Sequence, residues 1–473
     1  MFRALKSDKD AYITNKFIDG KQAISGNTGI AGSLDLFKLY GMTITGSQPQ
    51  TELSRLLIHF NLDPLRDLVS SGDLDISDSS FKCHLRLKDV YGGQLTPSNF
   101  SVSVFPLSAS FDEGLGKDVA YYSDKDKCNF LSSSKNSAWF LTGCAQACDA
   151  STQGDYITSS LSIPSTKVNQ SFLTGQEDLL VDVTQIISST ISGELPDEGF
   201  RISFDAAFES DTHTYFVKRF ASRHAFDESK HPKLFVRFKD SIEDDNANFF
   251  VDRESKIFLY NYYNDELTNI KSSSLDVTGS NCIILELKTE ISGVGEYSLF
   301  FTGSQFSLGS NYTPGTYFAP VLVETSDPNI KTYLASSGSV YFTPIWRSLD
   351  ESVSFVTGSI LTARNQVALS KRLSPRRYTI SVLGVSKEYG ENEDVVLRVN
   401  IFDKNSPIIK AQRLPIELPG AVVRNSYFAI RNVSTNEYEI PFDDLYESTK
   451  LSSDSDGMYI KFNTSARNIR IVS

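Results

Sequence analysis

The sequence lacks the features that mark membrane spans and secreted precursors. No apolar run is long enough to cross a bilayer, and the first residues, MFRALKSDKDAY, contain no apolar core of the kind that a signal peptide needs. We therefore expect a protein that is made and folded in a cytoplasm and that has no membrane partner.

Cysteine is scarce. The 473 residues include 5 cysteines, an odd number that does not fit the disulfide framework of a small secreted module. Cys144 and Cys148 stand one residue further apart than a zinc or redox CxxC pair. Two interpretations stay open for Cys128, Cys144 and Cys148. Either they pack as small loop residues, or Cys128 or Cys144 forms a disulfide with a neighbour or with another subunit after the protein leaves the reducing cell.

Basic residues are fewer than acidic residues. There are 46 Lys and Arg residues against 58 Asp and Glu residues, which gives a formal net charge of −12. A protein that coats nucleic acid needs a basic face to neutralise phosphates, so this balance argues against a nucleic-acid partner. The excess of acidic residues instead keeps a large protein soluble before it assembles.

Sequence motifs of catalysis are absent. The chain has no GxSxG, P-loop or HExxH motif, and the stretches GLGKD and GVGEY lack the flanking strand and helix that would make a glycine-rich loop functional. Adjacent carboxylates occur in three pairs, Asp112/Glu113, Glu177/Asp178 and Asp227/Glu228. Adjacency in sequence does not place two carboxylates across a cleft, as a glycosidase requires. We expect a protein that is not an enzyme.

The histidines give no sign of a metal site. All five precede residue 240, at His59, His84, His213, His224 and His231. His59 and His84 fall on outward positions of alternating strands, which favours surface or interface roles. The spacing supplies no full set of metal ligands, so we expect no metal and no cofactor.

The residues that are abundant favour β structure. Aromatic residues make up 12% of the chain, with 32 Phe and 21 Tyr against only 3 Met, and such residues are enriched in strands. Hydrophobic residues make up 40%, an ordinary globular value. A chain of this length corresponds to about two to four domains, each large enough for a core.

The stretch 178–238 shows the strand pattern most clearly. In GFRISF (199–204) and PKLFVRF (232–238), apolar residues alternate with polar ones, as in strands with one buried face. Arg201 and Ser203 then fall on the outer face. Two such strands around a polar insert predict the closing edge of an antiparallel β-sandwich.

Other segments of the first part add strands, one helix and one long loop. LSRLLIHFNL (53–62) and FKCHLRLKDV (81–90) alternate as strands do. Pro64 precedes a short amphipathic run, Leu65–Gly72, which predicts a helix. The segment 112–150 is rich in Gly, Asp, Ser and Asn and predicts a long functional or packed surface loop.

These patterns predict an all-β protein made of three consecutive antiparallel β-sandwich domains, jelly-roll or Ig-like, with few short helices. The acidic stretch SIEDDNANFFVDRES, after residue 240, is typical of a domain joint. Short strand-like runs then follow at sandwich spacing up to the end of the chain. We therefore predict domains at 1–240, 241–346 and 347–473.

Several motifs of the first domain resemble those of a known family. They are AYIT, NTGIAGSLDLFKLYG, SRLLIHFNL, SAWFLTG, DVT, GFRISF and PKLFVRF. Together they resemble the DNRLRE-type β-sandwich of surface and virion proteins, in which an Arg and a Trp match Arg55 and Trp139. The segment EYEIPFDDLYESTKLSSDSDGMYIKF (437–462) is similar to the C-terminal region of structural proteins of tailed bacteriophages.

The resemblance implies an architecture and a setting. It suggests a virion protein of the neck, collar or tail, synthesised in the host cytoplasm. Its partners would be sibling subunits in a homo-oligomer and other virion proteins such as portal, neck or tail components.

Two basic runs stand out against the acidic background. The first comprises Lys218, Arg219, Arg223, Lys230, Lys233, Arg237 and Lys239, and the second comprises Arg372, Arg376 and Arg377 around Pro375. Charged residues on a sheet edge can simply prevent unwanted pairing. We favour the alternative that these runs dock on an acidic neighbouring subunit, because complementary fields steer association.

Three functions remain to be compared. The leading hypothesis is a non-enzymatic structural component of a tailed phage particle, a neck or collar protein that assembles through contacts between subunits. The alternative is a glycan-binding host-adhesion protein of the tail or baseplate that uses the Tyr-rich segments 260–264 and 310–318, although these tyrosines could equally pack across strands. An enzyme that depolymerises surface polysaccharide comes third.

Overall fold

The fold is mostly β. A computed structural model of the chain describes residues 1–91, 93, 96–149, 151–365, 378–403 and 422–465. Strands account for 45% and helices for 9%, which confirms the predicted all-β class. The number of sandwich domains and their boundaries stay predictions, so we call the three parts of the chain units.

The first unit is built from short and long strands with three short α-helices. In the described residues before 240, the strands are β1 (Phe2–Thr14), β2 (Phe17–Ile18), β3 (Lys21–Gln22), β4 (Ser33–Thr45), β5 (Gln48–Phe60), β6 (Lys82–Leu87), β7 (Phe100–Pro106), β8 (Ser132–Ser134), β9 (Ser137–Ala138), β10 (Ala147–Cys148), β11 (Tyr156–Ile157), β12 (Val168–Phe172), β13 (Leu179–Asp182), β14 (Phe200–Phe204), β15 (Tyr215–Ala221) and β16 (Lys233–Arg237). The helices are α1 (Asp63–Ser71), α2 (Thr184–Ile191) and α3 (Ala206–Ser210), with 3-10 turns at Val119–Tyr121 and Glu228–Lys230.

One large sheet curls around the core of this unit. Its strand order is β12-β7-β14-β5-β1-β16-β6-β13, with β4 beside β5 and β15 beside β4. The long strand β1 joins two halves, because Phe2–Lys6 pairs with β16 and Ser7–Thr14 pairs with β5. The two end strands approach each other, and the Gln170 side chain of β12 bridges to the backbone at Asp178 and Leu180, at 2.7 Å each. The sheet therefore nearly closes into a barrel.

Local sequence explains the elements that were predicted. In β6 the residues Cys83, Leu85 and Leu87 are buried and the residues between them are not, as alternation predicted. The helix predicted at Leu65–Gly72 is α1, which begins with a proline in its first turn and ends where Gly72 adopts φ +82°. Glycine adopts this left-handed conformation at low cost and so terminates the helix.

The predicted closing edge is wrong. β14 lies between β7 and β5, and β16 lies between β1 and β6, so both are interior strands. Arg201 and Ser203, which were expected to face solvent, are 3% and 2% exposed. The reason is that the loop after β7 covers the outer face of β14, where the Arg201 guanidinium donates to the Cys144 carbonyl at 2.8 Å. Alternation within a strand does not reveal such a cover.

The second unit is a smaller antiparallel sheet with one helix. Its described strands are β17 (Ser255–Tyr260), β18 (Tyr262–Tyr263), β19 (Glu266–Leu267), β20 (Lys271–Ser272), β21 (Leu275–Asp276), β22 (Ile283–Ile291), β23 (Gly295–Leu308), β24 (Asn311–Val321), β25 (Ser339–Arg347), β26 (Ser354–Thr357) and β27 (Leu361–Arg364), and its helix is α4 (Pro328–Ser337), with a 3-10 turn at Asn246–Asn248 before it. The order is β17-β24-β23-β22-β25-β26, and β27 also pairs with β25. The sheet thus continues to Arg364, past the predicted boundary at 346.

The third unit shares its core with the first. Its described strands are β28 (Tyr378–Leu383), β29 (Asp394–Asp403), β30 (Ile430–Arg431), β31 (Tyr438–Ile440), β32 (Ser452–Asp454) and β33 (Gly457–Asn463). Four of them form a sheet in the order β28-β29-β33-β32. Phe2 of β1 belongs to the hydrophobic core of this sheet, and Phe235 of β16 packs against it. Hydrophobic packing therefore continues from one unit into the next.

Candidate functional site: the cleft at the junction of the units

The predicted joint after residue 240 is held by hydrogen bonds to the units that follow it. The Asp244 amide donates to the Ser453 carbonyl at 3.2 Å, and the Ser453 amide donates to the Ile242 carbonyl at 2.8 Å. The Asp245 carboxylate accepts two hydrogen bonds from the Arg424 guanidinium, at 2.9 and 3.0 Å. The Asp245 amide also donates to the Lys256 carbonyl of β17 at 2.8 Å, so the segment is hydrogen-bonded to both the second and the third unit.

A second connection joins the first and second units. The Asp75 carboxylate accepts hydrogen bonds from the Ser77 amide at 2.8 Å and from the Ser310 amide at 2.6 Å, and Ser310 lies in the turn between β23 and β24. Burial opposes ionisation of Asp75, but these hydrogen bonds outweigh it and lower its pKa. Position 309 of this turn requires glycine. Gly309 has φ +58°, and the Cβ of any other residue there would lie 2.3 Å from the Asp75 carboxylate.

Between these two connections lies a cleft of about 250 Å³. The first unit contributes the α1–β6 loop and the end of β16, and the second contributes β17 and the β23–β24 turn. We call it the junction cleft, and its charged and aromatic lining consists of Asp73, Asp75, Asp78, Glu243, Lys239, Lys256, Phe238, Phe258 and Phe306. Four carboxylates, two amines and three aromatic rings thus line the cleft.

The charges of the junction cleft are not balanced. Within the described residues, Asp73, Asp75 and Asp78 form no ion pair with a Lys, Arg or His side chain. Lys239 forms an ion pair with Glu447 of the third unit, and the Lys256 amine lies 5.7 Å from the centre of the Phe318 ring. The cleft therefore carries an excess of negative charge, which favours a cationic occupant.

One buried polar group in the cleft wall lacks a partner. Ser241 is 6% exposed, and its hydroxyl oxygen makes no hydrogen bond in the described structure. Buried hydroxyl groups are normally satisfied by protein, water or ligand. Ser241 lines the cleft, and the hydrogen-bonding capacity of its hydroxyl is unused.

A titratable carboxyl lies within the joint itself. Asp244 is 1% exposed. Burial raises its pKa to about 7, and the nearby Asp245 and Asp454 carboxylates add to this effect, whereas hydrogen bonds from backbone amides oppose it. Asp10 of β1 is a similar case in the first unit, since burial raises its pKa to about 8.

The first basic run does not form a free patch. Lys218 is fully buried; its ammonium group pairs with Asp89 and donates to the Gly175 and Glu177 carbonyls, at 2.8 and 2.7 Å. The docking role proposed for Lys218 is therefore corrected, because a buried cation with three acceptors cannot meet a partner. Lysine is almost never fully buried unless it is paired. The pairing could not be predicted from the sequence, because the partner Asp89 lies far away in the chain.

The neighbouring cations are also engaged within the chain. Arg219 pairs with Asp35 at 3.0 Å, and Arg223 pairs with Glu113 at 2.6 Å. Arg237 lies over the Phe2 ring, 5.5 Å from its centre. The remaining members of the run differ in exposure: Lys233 is buried, and Lys230 and Lys239 are exposed in about half of their side chains. Arg372, Arg376 and Arg377 lie outside the described residues.

The five cysteines are free thiols. Cys128 and Cys144 are 1% and 0% exposed, and burial raises the pKa of Cys144 to about 12. A buried thiol with a raised pKa is a poor nucleophile, so these cysteines behave as small packing residues. A disulfide between subunits stays a prediction that would require local opening of this loop.

The two residues singled out by the family resemblance lie where the long loop meets the sheet. The Arg55 guanidinium donates to both oxygens of Glu209, at 3.0 and 2.8 Å, and to the Gly143 carbonyl at 2.6 Å. The Trp139 indole donates to the Asn129 carbonyl at 2.8 Å. Arg55 of β5 thus ties the loop to the sheet, whereas the Trp139 hydrogen bond joins two parts of the loop itself. Glu209 is a partner of Arg55 that the sequence did not reveal.

The histidines are dispersed. His59 contacts the Asp8 carboxylate at 2.6 Å and the Asp197 carbonyl at 3.2 Å. Burial lowers its pKa, but the Asp8 hydrogen bond and charge outweigh burial and raise it. In the described part of the chain, no group of three or more His, Cys, Asp or Glu side chains is arranged to hold a metal ion.

Comparisons with known proteins do not assign the chain to a family. A scan of the sequence against protein-family models finds no match, and a search of curated proteins finds no similar sequence. The resemblance to DNRLRE-type sandwiches and to structural proteins of tailed phages therefore stays a prediction. Among the helices of the described residues, none combines the length and the apolar character needed to cross a membrane.

Proposed function

We propose that this chain is a non-enzymatic structural subunit of a tailed-phage particle, a neck, collar or tail-associated protein that binds sibling copies. The observation that carries the proposal is that the three units are clamped together. Arg3 of the first unit pairs with Asp394 of the third at 3.2 Å, and Arg424 of the third pairs with Asp245 of the joint. A fixed arrangement of β units suits a building block that repeats identical contacts.

An exposed apolar edge supports assembly. In the described residues, β28 pairs with β29 alone, and its sequence YTISVL carries no charge. Ile380 is 62% exposed and Val382 is 43% exposed, although they lie opposite the buried residues Ile401 and Val399 of β29. Proteins normally protect such edges with charges or covering segments, so an uncharged apolar edge favours pairing with another chain.

The proposal is tested by sedimentation of the purified chain and by locating it in isolated particles. We expect self-association of the wild-type chain and a fixed copy number at the neck or tail. The double variant Ile380→Lys/Val382→Lys should be monomeric, because charges on an edge strand block pairing. Leu275→Lys/Val294→Lys is the matched control, since both residues are exposed and apolar but lie in the second unit. A wild-type chain that is monomeric and absent from particles would contradict the proposal.

The alternative is a glycan-binding adhesion protein. The observation in its favour is a set of exposed tyrosines in the second unit, where Tyr262, Tyr263 and Tyr312 are 63%, 69% and 45% exposed. Exposed aromatic rings offer faces on which sugars stack. Binding of the isolated chain to host glycans, abolished in Tyr262→Ala/Tyr263→Ala, would favour this function over the structural one.

A further inference from the structure

The junction cleft has two carboxylates with unused acceptor atoms. Asp75 is fully engaged by Ser77 and Ser310, as described above. Asp73, in contrast, accepts only from the Ser71 hydroxyl at 2.7 Å, and Asp78 accepts only from the Ser80 amide at 2.6 Å. Each of these two keeps one carboxylate oxygen without a donor in the described structure. These oxygens can bind the N–H groups of a cation.

A second, independent feature also indicates an occupant. Ser241 lines the cleft, and its buried hydroxyl has no hydrogen-bond partner in the described structure, so the hydroxyl could bond to a group bound there. Among the aromatic residues that line the cleft, Phe306 is half-buried and Phe258 lies beside it, with ring centres 5.4 Å apart. Aromatic rings next to carboxylates suit the flat guanidinium group and the aliphatic stem of arginine.

We propose that the junction cleft receives the basic segment KRLSPRR (371–377) of a neighbouring copy of this chain. This inference rests on the proposed function, because it names the partner through which sibling copies assemble. The segment has four basic residues and no acidic one, namely Lys371, Arg372, Arg376 and Arg377. Its charge is therefore complementary to the excess of carboxylates in the cleft.

The contact is heterologous, since a cleft on one copy binds a different surface on the next. Contacts of this kind generate rings when the rotation between copies closes. The apolar edge strand β28 follows the segment directly in sequence, at Tyr378–Leu383. The segment and the exposed edge thus belong to one continuous stretch, which would approach the neighbour together.

A peptide-binding experiment tests the cleft directly. The probe is a fluorescent synthetic peptide with the sequence of residues 366–379, QVALSKRLSPRRYT. The protein is the full chain with Arg372→Gln, Arg376→Gln and Arg377→Gln, so that its own segment does not compete. We expect saturable binding that weakens as salt rises, because the contact is electrostatic.

Neutral variants of the cleft supply the control. Asp73→Asn/Asp78→Asn keeps the hydrogen-bond acceptors that the loop uses, and it should weaken peptide binding about ten-fold or more. Asp67→Asn/Glu290→Gln removes the same amount of charge from exposed residues that do not line the cleft, and it should leave binding unchanged. No peptide binding, or equal binding by both double variants, would overturn the inference.

Mixing two defective chains distinguishes a neighbouring copy from the chain's own segment. A chain with Asp73→Asn/Asp78→Asn has a defective cleft, and a chain with the three Arg→Gln changes has a defective segment. Each alone should be impaired in assembly, whereas the mixture should form one-to-one pairs, because one intact cleft meets one intact segment. Absence of pairs in the mixture, despite peptide binding, would mean that the segment binds its own cleft and would overturn the inference.

The two proposals can fail separately. If the wild-type chain assembles and sits in particles but the peptide does not bind, the junction cleft is not the contact and the structural function stands. If the chain neither assembles nor occurs in particles, the structural function fails, while the peptide measurement still decides whether the cleft binds this sequence.

Discussion

Asp75 and Ser310 lie more than two hundred residues apart, and the Asp75 carboxylate accepts a hydrogen bond from the Ser310 amide at 2.6 Å. This bond joins the first unit to the second. Because it is charge-assisted and partly buried, we expect Asp75→Ala to lower the free energy of unfolding by about 1–3 kcal/mol. Calorimetry should show the transitions of the two units separating. Asp73→Ala, two residues away and exposed, should change little.

The second prediction concerns Gly309, which precedes Ser310 in the β23–β24 turn. Gly309 has φ +58°, and a Cβ there would lie 2.3 Å from the Asp75 carboxylate. Gly309→Ala should therefore destabilise the protein by about 1–3 kcal/mol, because it combines backbone strain with a clash. Gly46→Ala is the control, since its φ is +67° and nothing lies within 4 Å. Equal losses in chemical denaturation would show that strain alone acts and that the turn can move away from Asp75.

Asp244 predicts how stability depends on pH. Its pKa is raised to about 7 in the folded protein, against an ordinary value of 3.8. Between these values the folded state holds a proton that the unfolded state has lost, so the free energy of unfolding falls as pH rises from about 4 to 7. Asp244→Asn should remove this contribution and be more stable than the wild-type chain at pH 8, by about 2–4 kcal/mol. If the free energy of unfolding depended on pH in the same way for both chains, the assignment of this pH dependence to Asp244 would be wrong.

The buried ion pair between Lys218 and Asp89 leads to a prediction about the stability of the protein. Removing one partner of a buried pair leaves an uncompensated charge, so Lys218→Met should cost about 3–5 kcal/mol of stability. Lys218→Met/Asp89→Asn should cost less, because the remaining carboxylate is then neutral. Lys230→Met is the control, since Lys230 and Asp227 form an exposed pair at 3.6 Å, and its effect should stay below about 1 kcal/mol. Thermal denaturation of the three variants measures these differences.

The sequence was sufficient wherever structure depends on local pattern. Alternation in 81–90 predicted β6 and its buried face, because a strand places successive side chains on opposite sides. Pro64 and Gly72 predicted the position of α1 to within two residues, because each restricts the backbone in a way that begins or ends a helix. The same local signals, repeated along the chain, established the all-β class.

Tertiary structure alone decided what covers each strand. Arg201 alternates as an exposed residue does, but a loop that starts far away in sequence lies over it, and Lys218 is enclosed by backbone carbonyls and Asp89 for the same reason. The junction cleft likewise brings Asp73 and Asp78 next to Phe306 of another unit. Periodicity reports which side of a strand a residue occupies, whereas burial and pairing depend on contacts between distant segments, and the sequence of each strand does not contain that information.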